Sequence, residues 1–150
     1  MYCESRVTIR PATQADQPTI RRHIVEARLP RMNLRWPNFV VADEDGAIIG
    51  VGQVKSHRDG SREVASIAVA RGRQGEGIGS AIVRTLLARE AGHVLHLSCR
   101  RELRGYYEHF GFRLLARSEY PAYFGRLIPI VNLVAGRFGI HILVMRRDSV

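Results

Sequence analysis

Between Glu63 and Leu87 the chain changes its hydrophobic period abruptly, and a glycine-dense loop marks the change. Glu63 to Val69 reads as an apolar strand. Downstream, Ile78, Ile82, Val83, Leu86 and Leu87 recur at helical spacing until Gly92 stops the pattern. The glycines from Gly72 to Gly79 fall between the two, where the unpaired N–H groups and positive dipole end of a helix favour an anion. Glycine there also lets the backbone approach a pyrophosphate closely, although the loop alone is equally compatible with a flexible connection into a helix. No Lys-Ser/Thr follows, which excludes a nucleotide P-loop. Ser80 stands where a dinucleotide fingerprint needs its third glycine.

Around this junction the order of elements can be read. Arg6 to Arg10 alternates as a short strand, and Thr13 with Asp16 signals the start of a helix carrying Ile20, Ile24, Val25 and Leu29, closed by Pro30. Phe39 to Ala42 and Ala47 to Lys55 read as strands joined at Asp45-Gly46, and Arg58-Asp59-Gly60-Ser61 turns into the Glu63 to Val69 strand, giving an antiparallel meander. After the glycine loop and its helix comes a strand from Val94 to Cys99. A helix with Leu103, Tyr106, Tyr107 and Phe110 on one face follows, ended by Gly111, and then strands over Phe112 to Arg117 and Ile140 to Arg147. Ser118 to Gly139 is an apolar, proline-interrupted insertion between those strands. The strand–helix–strand crossover after a meander implies an α/β or α+β fold with a mixed, largely antiparallel central sheet flanked by helices. No repeat or linker divides the 150 residues, so one domain with one site is expected.

Cys3 and Cys99 are far apart, which fits neither a disulfide framework nor a metal cluster and favours a reducing cytoplasm. The N-terminus lacks the apolar core of a signal peptide, and Leu127 to Ala135, interrupted by Pro129 and Asn132, is too short to span a bilayer. No membrane partner is therefore expected. The formal charge of +9 comes almost wholly from arginine, since Lys55 is the only lysine. That charge fits either a solvated surface or a ligand carrying phosphates. A basic nucleic-acid-binding module would share it, but aromatic RNA-binding signatures and zinc spacing are missing.

Gln74, Gly77 and Gly79 match the pattern Q/R-x-x-G-x-G/A, and at this point the chain resembles the GNAT superfamily of acetyl-CoA-dependent N-acetyltransferases. Ile9-Arg10-Pro11-Ala12-Thr13 is similar to that family's first strand, and Glu63 to Val69 to its fourth. Tyr106-Tyr107-Glu108-His109-Phe110-Gly111-Phe112 is similar to its F-Y-x-x-x-G-F segment. The resemblance spans nearly the whole chain. It implies that Gln74, Gly75, Glu76, Gly77, Ile78, Gly79 and Ser80 bind the pyrophosphate of coenzyme A, and that Ile67, Ala68 and Val69 line its pantetheine arm, with no metal. Tyr107 occupies the position of the family's general acid, near the departing thiolate, although it also lies on an apolar stripe where packing alone would explain it; Tyr106 reads as the core aromatic of the pair. Glu63 sits at the offset where several branches place a catalytic glutamate. As a base it competes with a plain solvated acid paired to Arg62, and His57 is the second candidate.

The pattern departs at Arg100, where many members carry a cofactor-contacting asparagine; an arginine there suits cofactor phosphate or an acceptor carboxylate. Leu97 to Arg100, with Glu63-Val64-Ala65, distantly resembles the branch that acetylates glutamate. Gln53, Lys55, His57 and Arg62 cluster near the acceptor side of the meander, while Tyr120 to Phe124 of the insertion would wall the pocket, pack, or form a homodimer contact. Cys99, at the end of a buried strand, reads as an inert thiol. The expected activity is acetyl transfer from acetyl-CoA to the primary amine of a small molecule or amino acid. The alternatives are a protein or peptide acceptor, and an acetyl-CoA sensor without turnover.

Overall fold

The computed structural model describes residues 6–149, and Cys3 lies outside them. The chain forms a mixed α/β structure whose strands pair mostly antiparallel. It divides into two compact units, one of the residues up to Lys55 with Val64–Glu90, the other of Ser56–Glu63 with Ala91 onward.

In the first unit, strands β1 (Val7–Pro11), β2 (Phe39–Glu44), β3 (Ala47–Ser56) and β4 (Arg62–Val69) follow one another in the sheet. β1 and β2 pair antiparallel from Val7 opposite Glu44 to Pro11 opposite Val40. β2 and β3 pair from Phe39 opposite Gln53, with a register shift at Ala42/Asp43. Asp45 and Gly46 both take positive φ, 50° and 92°, which suits the two-residue hairpin expected there. Helix α1 (Gln17–Glu26) follows a single turn capped by Thr13, whose N–H donates to Asp16 Oδ2 at 2.7 Å; Arg10 reaches both Asp16 (2.8 Å) and Asp43 (2.9 Å) and so ties β1 to the helix start and to β2. Ile20 and Ile24 of α1 are fully buried in a cluster with Phe39, Val41 and Val51. Helix α2 (Ile78–Arg89) buries all five residues of its expected stripe. It approaches β3 so closely that a Cβ on Gly52 would lie 2.6 Å from Ile82 and 2.7 Å from Ile67, which is why glycine stands there.

In the second unit, β5 (Leu95–Arg100) pairs antiparallel with β7 (Ile142–Arg147), and β7 with β6 (Arg113–Leu114). The first residues of β4 belong to this unit too, and Glu63 pairs in parallel with His96 of β5. Helix α3 is only Arg104–Glu108, shorter than the apolar stripe implied, and Leu103 at its start is 44% exposed. β6 is likewise confined to two residues, flanked by the buried Phe112 and Leu115.

The insertion folds into the longest helix, α4 (Ala122–Ala135), with Pro129 inside it. Proline removes the bond to the carbonyl four residues back and crowds it, at a cost of about 3 kcal/mol. Tertiary packing offsets this. Phe124 and Ile128 are buried with Leu115 and Val144, and the Asn132 side chain both accepts from the Ile142 N–H (2.8 Å) and donates to its carbonyl (3.0 Å). The apolar run that looked like a broken insertion in sequence is thus a helix held by one buried face and by the edge of β7.

Candidate active site

The glycine loop enters α2 through Gly77, whose φ of 84° places it in the left-handed region favoured by glycine. Gly75 has φ 79°, and neither glycine has any atom within 4 Å of where a Cβ would stand, so the loop backbone faces open space. The first helical bond runs from the Ala81 N–H to the Gly77 carbonyl (3.0 Å), leaving the Ile78 and Gly79 N–H groups outside the helix's own ladder. Arg73 holds the loop from behind: it forms a fork with both Glu44 carboxylate oxygens at 2.7 Å and reaches Glu76 at 2.9 Å. The Glu76 carboxylate is thus paired with Arg73. Gln74 is exposed and reaches the Val69 carbonyl only at 3.5 Å. A cleft of about 370 Å³ opens beside the loop, lined by Val69, Ala70, Arg71 and Gln74 together with His23 and Arg28.

Ile67, Ala68 and Val69 end β4, with Ala68 buried and the other two half-buried. Just before them Ser66 adopts φ 59°, a conformation that costs a non-glycine residue about 1 kcal/mol or more. Its Oγ accepts from Gln53 Nε2 at 2.8 Å, and Gln53 is itself fully buried. A left-handed residue inside a strand bends the strand and re-aims its neighbours, and nothing in the apolar run of β4 signals it. Lys55 is also buried, its Nζ 3.3 Å from the Met32 carbonyl. Gln53 and Lys55 are thus both buried in the first unit, with Gln53 Oε1 left without a partner.

In the second unit, Glu63 does not stand as a solvated acid. Its Oε1 is 2.8 Å from His57 Nε2, and the two side chains are 10% and 7% exposed. For Glu63 to accept here as a carboxylate, Nε2 has to carry the hydrogen of this contact. His57 and Glu63 flank the Asp59-Gly60 turn, closed by the His57 N–H donating to the Ser61 carbonyl (2.9 Å), which makes them diagonal neighbours across the hairpin. Tyr123 of α4 stacks on His57 with ring centroids 3.5 Å apart and planes within 13°. Burial and the nearby Glu63 carboxylate both raise the Tyr123 phenol above its ordinary value.

Asp59 accepts from the Tyr123 N–H (2.9 Å) and from Ser61 N–H (2.8 Å) and Oγ (2.5 Å). Burial alone would raise its pKa, but these bonds outweigh it and bring the carboxyl down to about 2. Phe124 lies edge-on to His57 and 5.9 Å from the ring of His96, whose two nitrogens are buried without a partner and whose pKa is lowered by burial and by Arg146. In sequence Asp59 is legible only as part of a turn and Tyr123 and Phe124 only as part of the insertion, while His96 carries no signal; none of these patterns shows that turn and insertion meet.

Tyr107 on α3 is half-buried, edge-on to Tyr106 (5.0 Å) and Phe112 (6.1 Å). Burial pushes its phenol well above the usual value, with Tyr106 and Cys99 adding to the shift. Tyr106, expected as the core member, is no more than half-buried. Cys99 is a buried free thiol pushed up to about 11, as suits an inert residue. Arg100 is exposed at the end of β5.

Among the described residues no helix is long and apolar enough to cross a membrane. A sequence profile described as an acetyltransferase (GNAT) domain matches residues 35–114. Among proteins of curated function no sequence match reaches significance. Solved structures resemble the fold. A Mycobacterium tuberculosis protein, Rv2747, solved in complex with CoA, superposes with a TM-score of 0.72 at 19% identity, covering 95% of this chain and 99% of that one. N-acetylglutamate synthase from Neisseria gonorrhoeae, complexed with coenzyme A and N-acetyl-glutamate, gives 0.69 at 20% identity over 96% of this chain, which spans only 35% of the synthase. Ard1 from Thermoplasma volcanium gives 0.67 at 17% identity, covering 96% and 98%. With the glycine loop, the strand order and the matched profile in agreement, the chain belongs to the GNAT acetyltransferase domain family, whose members are acyltransferases that use acetyl-CoA.

Proposed function

We propose that the chain works as one cytoplasmic N-acetyltransferase domain that moves the acetyl group of acetyl-CoA to the primary amine of a small molecule or amino acid. The observation that carries the reading is the enclosed Glu63–His57 pair, 2.8 Å apart. With His57 Nε2–H bonded to Glu63 Oε1, the second carboxylate oxygen is left to accept the proton of the incoming ammonium, directly or through water. The freed amine attacks the thioester carbonyl, forming the C–N bond and a tetrahedral oxyanion; as this collapses the C–S bond breaks with its electron pair on sulfur, and the second nitrogen proton passes, directly or through water, to the thiolate, which leaves the amide and a free thiol.

Tyr107 is the proposed donor to that sulfur. Its raised pKa makes full proton transfer uphill and hydrogen bonding to the thiolate the better-suited role. The loop from Gln74 to Ser80 is proposed to hold the pyrophosphate on backbone N–H groups, with Ile67 to Val69 along the pantetheine and Arg100 near a phosphate or an acceptor carboxylate. A small acidic acceptor is supported by the arginine-rich composition and by likeness in fold to a synthase solved with N-acetyl-glutamate. Calorimetric titration with acetyl-CoA, followed by thiol release against a panel of amines and acidic amino acids, tests the reading. Saturable binding with release for an acceptor supports it, and absence of binding overturns it.

A further inference from the structure

We propose that Tyr123, supplied by the helical insertion α4, is a positioning residue for the Glu63–His57 pair, and that Asp59 holds it in place. The proposal rests on the reading of Glu63 as proton acceptor. A lone imidazole two residues before a turn has free rotation about two bonds, and a carboxylate hydrogen-bonded to a mobile partner is itself poorly oriented. Here the imidazole is confined on one face by the Tyr123 ring, nearly parallel at 3.5 Å, and approached by Phe124 edge-on at 6.1 Å, so its in-plane nitrogen is directed at Glu63. Only about 10% or less of either side chain of the pair meets solvent.

The stack is itself anchored. Asp59 Oδ2 accepts the Tyr123 N–H at 2.9 Å, one of the first-turn donors that α4 cannot satisfy internally, while Asp59 Oδ1 is engaged by Ser61. The turn that carries His57 therefore caps the helix that carries Tyr123. The cap fixes the backbone from which the Tyr123 ring projects, and the buried Phe124 packs edge-on beside that ring at 5.1 Å. Tyr123 is proposed to act through the plane of His57 on the orientation of Glu63; its phenol also feels the Glu63 carboxylate, and Tyr123→Phe separates that direct influence from the stack.

The variants that separate this role from mere packing are Tyr123→Phe, which keeps the ring, and Tyr123→Leu, which keeps an apolar side chain but no stacking plane. With Tyr123→Leu we expect kcat to fall roughly tenfold while the affinity for acetyl-CoA stays within about twofold. Tyr123→Phe should restore kcat. In parallel, the His57 Hε1 resonance, shifted by the ring current of Tyr123 in the wild type, should move in Tyr123→Leu and remain in Tyr123→Phe. Equal kcat in the two variants, or an unmoved His57 resonance in Tyr123→Leu, overturns the positioning role. Glu63→Gln in the same assay keeps the two readings distinct: if it turns over normally, the assignment of Glu63 as proton acceptor fails, whereas if it is impaired and Tyr123→Leu is not, only the inference fails.

Discussion

The glycine loop and the His57–Glu63 hairpin are both turns that leave or enter β4, yet they are built on opposite principles. The loop is made of backbone. Gly75 and Gly77 adopt left-handed angles, the first turn of α2 points N–H groups outward, and the one side-chain device, Arg73 with Glu44 and Glu76, stiffens it from behind. The hairpin is made of side chains: a histidine, a glutamate and an aspartate, completed by a tyrosine from a helix some sixty residues later. A backbone cradle suits a chemically constant ligand such as a pyrophosphate. A corner assembled from side chains and an insertion can vary with the acceptor while the cradle stays the same.

This difference is broken most severely at Gly77. A valine there has to adopt φ near 84° and place its branches in the space the loop leaves open. We expect acetyl-CoA affinity to fall about a thousandfold, from strain in the loop and loss of the anion-facing geometry together. The same substitution should leave the His57 resonance unchanged. Calorimetry and NMR on one sample check both halves. Retained affinity would show that the cradle does not depend on the glycine backbone.

Glu63→Gln tests the other side. It preserves the shape of the hairpin but removes the proposed proton acceptor, so kcat should fall about a hundredfold with acetyl-CoA binding intact. Next in size is Tyr107→Phe. As the proposed donor, a phenol held well above its usual value would contribute a hydrogen bond to the leaving sulfur rather than a titration, and its loss should lower kcat roughly tenfold by the same factor at every pH from 6 to 9. A change confined to one limb of the pH profile would contradict that role.

The same contrast explains what could be read from the chain in advance. The loop, the α2 stripe and the Asp45-Gly46 hairpin are local: residues within a few positions determine their angles and periods, and all three appear in the structure where the pattern placed them. Glu63, Tyr107 and the loop residues became candidates through the family resemblance. The partnership of Glu63 with His57 became visible only once the hairpin closed, since six positions apart carries no signal unless the register is known. α4 was hidden by Pro129, whose local cost is offset by Phe124 and Ile128 packing against Leu115 and Val144, groups that sequence alone does not bring together. α3 erred in the other direction, because its apolar spacing continues past the point where Phe110 and Gly111 bond back to Tyr107 and Glu108 in a tighter turn.

The smallest expected effect sharpens the comparison from below, through stability alone. His96 is the Cα partner of Glu63, and its ring lies behind Phe124 with both nitrogens unpartnered and its pKa lowered by burial, then by Arg146 and Arg113, against the opposing charges of Asp59 and Asp148. A histidine whose folded pKa is lowered is neutral in both states above about pH 6.5, so it contributes no pH dependence there. Below that value the unfolded chain takes up a proton that the folded chain resists. Stability should therefore decline as pH falls through 6.5 toward the lowered folded value, by at most about 1.4 kcal/mol per pH unit. His96→Leu fills a similar volume and removes the titration. In urea denaturation at pH 7.5 and pH 5.5, the wild type should lose more stability than the variant, by up to about 1 kcal/mol. An identical loss in both would mean that the imidazole finds a proton acceptor in solution, and that the wall behind Phe124 is wetter than the packing of α4 implies.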